Sequence, residues 1–199
     1  GFSAWGVWQN DEGSMCAMLL MAWRKHLTLG GVRHIRGKSK AESWANYKAE
    51  TEQDWGVVQW LRYECSRLGV HALLIENKAS GHDIYNELLK HAEHDKWSMV
   101  LIDPKNLDKH ARVHRIQPIF AEGLVYAILD KQYAKTAVDE MAAFPRGRFN
   151  DITDSASQAL WYLRKNGYLE HIDVVMAREQ RARERAGKKP KGQKALYPT

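Results

Sequence analysis

The segment from His71 to Glu76 is the feature that most constrains the fold. It reads His-Ala-Leu-Leu-Ile, stops at a carboxylate, and is followed by Ser80-Gly81, a turn signal. A short apolar run bounded in this way is typical of a buried β-strand. Glu76 is therefore predicted at the carboxyl end of a strand, where crevices form in open α/β sheets and ligands bind. A solvated strand-end Glu explains the same position, because charged residues commonly mark strand ends.

The rest of the chain alternates strand and helix patterns around this segment. Residues 2–9 and 14–23 are predicted strands joined by a hairpin turn. Further strands are predicted at residues 98–102 and 125–129, and helices at residues 40–47, 55–68, 84–91, 108–122, 133–143 and 151–166. Together these elements predict an α/β fold with a mixed sheet flanked by helices on both faces.

A second acidic segment follows the turn at residues 144–147. Asp151 opens a helical pattern, and Asp154 lies three residues on, so both side chains share one face of the helix. Asp is enriched in first helical turns, where it caps backbone donors and complements the helix dipole, and this would explain one of the two acids. Two acids beside Asn150, preceded by two arginines, make a denser polar patch than a cap needs.

Several short motifs occur in a characteristic order. They are Glu76-x-Lys78-Ala79-Ser80-Gly81, Asp108-Lys109-x-x-Arg112, Phe120-x-x-Gly123-x-Val125, and Phe144-Pro145-x-Gly147 with Asp151-x-x-Asp154-Ser155-x-Ser157-Gln158-Ala159-Leu160. In this order, over residues 2–168, the chain resembles the C-terminal nuclease domain of the tailed-phage terminase large subunit. The resemblance implies an RNase H-like fold, two divalent metal ions held by acidic residues, and cutting of concatemeric viral DNA during packaging.

The candidate catalytic residues are Glu76, Asp151, Asp154 and Lys78. Glu76 and Asp151 are interpreted as ligands of two Mg²⁺ or Mn²⁺ ions, since such hard cations prefer carboxylate oxygens, and Asp154 as a third ligand or an outer group. Lys78 either neutralises phosphate charge in the same crevice or is an ordinary solvated lysine. Candidate contacts to the DNA backbone, each of which a surface charge would also explain, are Lys105, Lys109, Arg112, Arg146 and Arg148.

Two departures from the family pattern bear on activity. The family carries an Asp on a central first strand just before a segment like residues 2–8, and this sequence begins at Gly1, so that strand is expected to lie upstream. Without its carboxylate one metal site would lose a bridging ligand. Asn150 stands where the family often has another Asp, which keeps an oxygen ligand but removes a charge and would lower metal affinity.

Composition favours a polyanionic partner. Thirty basic residues against 24 acidic ones give a net charge of +6. Residues 1–172 are predicted to form the nuclease domain and residues 173–199 a basic segment, helical and then disordered, that binds phosphates, docks on a partner or keeps the protein soluble. Cys16 and Cys65 are predicted to be buried free thiols. The apolar run at residues 15–23 is too short to span a membrane, and the expected location is the host cytoplasm.

The sequence therefore predicts a metal-dependent endonuclease that cuts double-stranded DNA with low sequence specificity. By resemblance its partners are the portal, the small terminase subunit and an upstream ATPase domain. Two alternatives stay open: a junction or RNA–DNA hybrid nuclease of the same fold, and a non-catalytic DNA-binding or portal-docking module. Metal dependence separates the last from the others, because a module without catalysis binds DNA equally well in chelator.

Overall fold

The computed structural model describes residues 1–30, 55–103 and 107–187, and these form a mixed α/β structure. The strands are β1 (Phe2–Gln9), β2 (Met15–Trp23), β3 (Ala72–Glu76), β4 (Ser98–Ile102) and β5 (Val125–Ala127). The helices are α1 (Val57–Leu68), α2 (Ala79–Leu89), α3 (Lys109–Ala121), α4 (Gln132–Ala143), α5 (Asp151–Lys165) and α6 (Ile172–Gly187), with a short 3₁₀ helix at Ala92–His94. In these ranges no helix is long and apolar enough to cross a membrane. The helix predicted at residues 40–47 and the end of the basic segment lie outside the described residues.

The described strands form two sheets. β1 and β2 are an antiparallel hairpin, and β2 also pairs in parallel with β5, which gives a mixed three-stranded sheet in the order β1-β2-β5. β3 and β4 form a separate parallel pair in which Glu76 lies opposite Ile102. The α/β class predicted from the sequence is confirmed. A single sheet was expected, but the described strands form two separate sheets. Their edge strands, β1 and β3, both line one cavity.

Helices cover both faces of β1. Phe2 and Ala4 belong to a buried cluster that includes Leu61 of α1. Ser3 lies between them in the strand and its hydroxyl is 2.8 Å from that of Ser155 on α5. Because successive side chains of a strand point to opposite faces, α1 and α5 pack on opposite sides of β1. The strand thereby brings the first turn of α5 close to the start of the sheet.

Local sequence signals set several helix ends where they were predicted. Gly69 ends α1 with a left-handed φ of 62°, which glycine adopts without a steric cost. The carboxylate of Asp108 accepts a 2.7 Å hydrogen bond from the backbone N–H of Ala111 and so caps α3. Gly123, also at positive φ, follows the other end of α3. These predictions are confirmed.

The start of α2 differs from its predicted position. Ser80-Gly81 was expected to form a turn before a helix at residues 84–91, but α2 already begins at Ala79. A Cβ atom added to Gly81 would lie 1.9 Å from the carbonyl oxygen of Glu76. Glycine is therefore needed because the first turn of the helix packs directly on the end of β3. This contact anchors the backbone that carries the Glu76 side chain.

Both cysteines are buried and free, as predicted. Cys65 belongs to the cluster between α1 and the β1–β2 hairpin, and Cys16 to the cluster that holds α3 and α5 together. Burial raises the pKa of the Cys65 thiol to about 12, with the nearby acids Asp95 and Glu64 adding to the shift. The thiolate is the reactive form of cysteine, and with so high a pKa Cys65 stays a neutral thiol at neutral pH. Its role is therefore packing in the core.

Glu140 of α4 holds the amino-terminal end of α5. Its buried carboxylate accepts hydrogen bonds from the backbone N–H groups of Ile152 at 2.7 Å and Thr153 at 3.0 Å. Its second oxygen accepts a 2.7 Å hydrogen bond from Arg24. Asn150, at the N-cap position, makes no capping hydrogen bond with its side chain. Capping of α5, which the sequence offered as one explanation of an acid at this turn, is thus supplied by Glu140 from another helix.

Replacing Glu140 by alanine is expected to destabilise the fold by about 2–4 kcal/mol, because buried N–H groups and Arg24 would lose a charged acceptor. The measurement is the free energy of unfolding in urea. Asp139→Ala is the matched control, since Asp139 is the exposed neighbour on the same helix and its loss should change stability by no more than about 0.5 kcal/mol. Equal effects of the two substitutions would contradict the capping assignment.

Candidate active site

Glu76 is held at the end of β3 by strand pairing and by α2. Leu73 and Ile75 of the strand are buried in the core, and the ladder with β4 extends to Glu76 itself. Gly81 then packs on its carbonyl group from the other direction. The Glu76 side chain is 27% exposed, so it reaches the surface of a rigid support. This agrees with the predicted position at a strand's carboxyl end.

Asp151 and Asp154 lie in the first turn of α5, as predicted. The backbone N–H of Asp154 donates to the carbonyl of Asn150 at 2.9 Å, which closes this turn. The Asp154 side chain is only 20% exposed, whereas Asp151 is exposed. An added Cβ on Gly1 would be 2.2 Å from the carbonyl oxygen of Asp151, so the start of β1 lies against the same turn. Sheet and helix therefore meet at these acids.

Arg112 of α3 joins the two acidic segments. Its Nη1 lies 3.1 Å from Oε1 of Glu76, and its Nη2 lies 2.5 Å from Oδ1 of Asp154. Charge-assisted hydrogen bonds of this kind are the strong ones in proteins, and the planar guanidinium can reach two carboxylates at once. A strand-end acid and a helical acid are thus brought to the same place by a cation of the protein itself.

Two lysines complete the set of contacts. Nζ of Lys78 lies 2.8 Å from the same Oε1 of Glu76. Nζ of Lys109, one helical turn before Arg112, lies 3.1 Å from Oδ2 of Asp154 and donates to Oδ1 of Asn150 at 2.8 Å. Both lysine side chains are about half exposed, at 58% and 45%. These two cations therefore remain accessible to a ligand from solvent.

The pKa of Glu76 reflects these neighbours. Partial burial by itself would raise the pKa of the carboxyl group, but the hydrogen bonds and charges of Lys78 and Arg112 outweigh it and lower the pKa below its ordinary value. Glu76 is consequently ionised at neutral pH. An ionised strand-end carboxylate is a competent ligand for a hard cation.

One cavity of about 1020 Å³ collects the predicted acids. Glu76, Asp151 and Asp154 all line it, together with Lys78, and its walls include both β1 and β3. By donor type, carboxylate oxygens from two elements facing one cavity fit a hard divalent ion. Within the described ranges, however, no group of three or more His, Cys, Asp or Glu residues is arranged to hold a metal ion. Cationic side chains pair with Glu76 and Asp154.

The predicted DNA contacts are distributed unevenly. Lys109 lies at the site, and Arg112 is 8% exposed with its guanidinium engaged by two carboxylates, which leaves little of it for the predicted phosphate contact. Arg146 and Arg148 are exposed in the α4–α5 connection and do not line the cavity; Arg148 lies 5.0 Å from the ring of Phe149. Lys105 falls outside the described residues.

Sequence reasoning missed two features of the site. One is Glu140, which carried no signal because its partners, the N–H groups of Ile152 and Thr153, are ordinary backbone atoms of another helix. The other is the pairing of Arg112 with the acids. A partial signal for it existed, because Lys109 and Arg112 are three residues apart and therefore share one helical face.

Comparison with known proteins identified no relative. No protein-family profile matches the chain, and neither the curated proteins nor the solved structures include a significant match.

Replacing Lys78 by glutamine is expected to raise the pKa of Glu76, because the nearest cation is lost. The pKa can be followed by NMR titration of the Glu76 side-chain carboxyl carbon. Lys90→Gln is the matched control, since Lys90 pairs with Glu87 in α2 and not with Glu76. A Glu76 pKa that is the same in both variants would contradict the assigned contact.

The lowered pKa also predicts how stability depends on pH. A carboxyl group whose pKa is lower in the folded than in the unfolded state contributes stability above its unfolded pKa and loses it as pH falls through the folded pKa. The difference in unfolding free energy between wild type and Glu76→Gln should therefore be full at pH 7 and decline below the ordinary value of 4.5. Urea unfolding at pH 7 and pH 3 measures it, and a difference independent of pH would refute the linkage.

Proposed function

We propose that this chain is the divalent-metal-dependent endonuclease domain of a viral DNA-packaging terminase, with an RNase H-like fold. The observation that carries the proposal is the meeting of Glu76, from a strand end, with Asp151 and Asp154, from the first turn of a helix, around one cavity. These residues come from the two motifs that the resemblance assigns to metal binding. Arrangement of acids by rigid elements is what a site for phosphodiester hydrolysis needs.

Glu76, Asp151 and Asp154 would hold the ions, two Mg²⁺ or Mn²⁺. When bound, such ions polarise the scissile phosphate, lower the pKa of an attacking water and stabilise the departing oxygen. Lys78 and Lys109 are half-exposed cations beside the acids, and in this proposal they contact phosphate oxygens of the DNA backbone. Such contacts position DNA without reading its sequence, in keeping with low sequence specificity.

The division of the sheet supports the same fold assignment. β1 pairs with β2 and β3 with β4, and in the described part of the chain neither has a partner strand on its other edge. Both of these edges belong to the wall of the cavity. The central strand that the resemblance places before β1 would occupy this space, joining the two sheets into one. By the resemblance its carboxylate would be a further metal ligand.

The substrate of the proposed activity is concatemeric double-stranded DNA in the cytoplasm of the infected host. The net charge of +6 and the exposed arginines of α6 favour a polyanionic partner. The portal, the small terminase subunit and an ATPase domain upstream are the further partners that the resemblance implies. Attraction through the basic segment should weaken steeply as salt concentration rises.

A non-catalytic DNA-binding or portal-docking module is the second candidate. It is favoured by one observation: Glu76 and Asp154 are already neutralised by Arg112, Lys78 and Lys109. A protein that used these acids only to hold its fold together would show the same pairs. Cleavage in the presence of metal ions distinguishes the two functions.

Plasmid DNA is expected to be cut in Mn²⁺ or Mg²⁺ and left intact in EDTA. Asp151→Asn should lower the rate by roughly 10- to 100-fold or more, since the loss of even an outer partner of a metal site has effects of that size. Asp139→Asn, which removes an exposed acid from α4, is the control for charge and should cut like the wild type. DNA binding without cutting, unchanged by EDTA, would favour the docking module; preference for branched DNA or hybrids would favour the related nucleases.

An added strand before Gly1 is expected to stabilise the fold and to increase cleavage. The variant carries an alternating apolar strand with one Asp, joined by a hairpin turn, and the control has the same length with prolines that cannot pair. The temperature midpoint of unfolding should rise by about 2–4 °C for each kcal/mol gained. Exchanging the added Asp for Asn should keep the stability but lose the gain in cleavage. Equal midpoints for the pairing and the proline version would refute occupation of the cavity.

A further inference from the structure

We propose that Arg112 is a positioning residue that joins Glu76 and Asp154 and competes with a divalent ion for their oxygens. This inference deepens the proposed function, on which it rests for the nature of the ion. The sequence makes Arg112 a candidate contact to the DNA backbone, a position that a simple surface charge would also explain. Its position between two carboxylates gives it a different action, on the acids themselves.

The geometry of Arg112 is that of a bridge. Nη1 contacts Glu76 at 3.1 Å and Nη2 contacts Asp154 at 2.5 Å, so different nitrogens serve different acids. The two acids are separated from Arg112 by 36 and 42 residues along the chain and belong to different elements. Two carboxylates this close to one group repel each other unless a cation lies between them. The guanidinium supplies that cation where a metal ion would otherwise do so.

The two ion pairs of Arg112 matter for stability because its side chain is buried. The Arg112 side chain is only 9% exposed, and a buried charge is tolerated when it is paired and hydrogen-bonded. Its Nε is buried too and has no hydrogen-bond partner among the described residues. The ion pairs to Glu76 and Asp154 are therefore the contacts that compensate for burying the charge. A lysine in this place would offer a single ammonium and could not span both acids in the same way.

The charges around the cavity explain the competition. Glu76, Asp151 and Asp154 line the cavity, and two of these acids, Glu76 and Asp154, are paired with Lys78, Lys109 and Arg112. The lysines are half exposed and can turn toward solvent, whereas Arg112 is enclosed. An ion that binds Glu76 and Asp154 together must take oxygens that Arg112 now contacts. Removing the guanidinium should free these oxygens and leave the acids with a stronger attraction for divalent cations.

The test is direct binding of Mn²⁺ to the whole chain without DNA, measured by the EPR signal of free Mn²⁺. Arg112→Gln should lower the dissociation constant by roughly tenfold, the smaller end of the effects that groups bonded to metal ligands have on affinity. Arg115→Gln is the matched control, because it removes the same charge from the same helix at a residue stacked 4.5 Å from the ring of Trp161. Its dissociation constant should stay within about twofold of the wild type, since Arg115 stacks on Trp161 and pairs with neither Glu76 nor Asp154.

Arg112→Lys is the second variant, and it tests the inference if Arg112→Gln does not fold. It keeps the charge but reaches one acid, so its affinity for Mn²⁺ should lie between those of the wild type and of Arg112→Gln. Dissociation constants of the Arg112 variants equal to or above that of the wild type would overturn the inference. Equal tightening in Arg115→Gln would also overturn it, because net charge alone would then explain the effect.

Failure of the proposed function would look different. If the wild type neither binds Mn²⁺ nor cuts DNA while Arg112→Gln binds the ion, Arg112 occupies the ion's place as inferred and the metal-dependent nuclease is refuted for this chain. If the wild type cuts DNA with Mn²⁺ and the variants bind it no more tightly, the function stands and the inference falls. If none of the proteins binds Mn²⁺, both fall.

Discussion

The ion pairs of Arg112 are the interaction on which the arrangement of the site depends. The described strands form two sheets with no shared ladder, and Arg112 links Glu76 at the end of one of them to Asp154 on the helix that covers the other. One buried cluster also joins Phe2 and Ala4 of β1 to Leu73 and Ile75 of β3, so apolar packing holds the two sheets together as well. A buried network of paired charges favours one geometry, whereas loss of one partner leaves a buried charge uncompensated. The bridge therefore holds the Glu76 and Asp154 side chains together, while their backbones are fixed by β3 and by the first turn of α5.

Much of the fold could be predicted because its signals are local. The amphipathic pattern of α1 and the glycine at position 69 lie within a few residues of each other, and the capping of α3 by Asp108 needs only the first turn of that helix. Strand β3 was equally legible, since an apolar run that stops at Glu76 specifies both the strand and its end. Such features follow from backbone geometry and burial and require no knowledge of what packs on them.

Features that depend on contacts between distant elements could not be predicted in the same way. Ser80-Gly81 is typical of a turn, yet Gly81 lies inside α2. Glycine is needed there because a Cβ atom would lie 1.9 Å from the carbonyl oxygen of Glu76, a contact that the local sequence does not reveal. In the sequence nothing distinguishes Glu140 from the other acids of α4, because its partners are backbone N–H groups of α5. The acids of the candidate site could be predicted from the sequence. Their pairing with Arg112 could not, since Arg112 is 36 residues from Glu76 and 42 from Asp154 along the chain.

If the proposed function holds, the balance of charge at the cavity would link metal binding to DNA binding. Lys78, Lys109 and Arg112 already offset the charges of Glu76 and Asp154, which makes their partial burial tolerable. Two divalent ions added beside acids that are already paired with cations would leave a positive excess in a partly enclosed space, and this is unfavourable. Phosphate groups of DNA would offset that excess, and the half-exposed lysines could turn from the acids to the phosphates. If the proposed function holds, the ions and the DNA should therefore bind cooperatively, because each supplies the charge that the other needs.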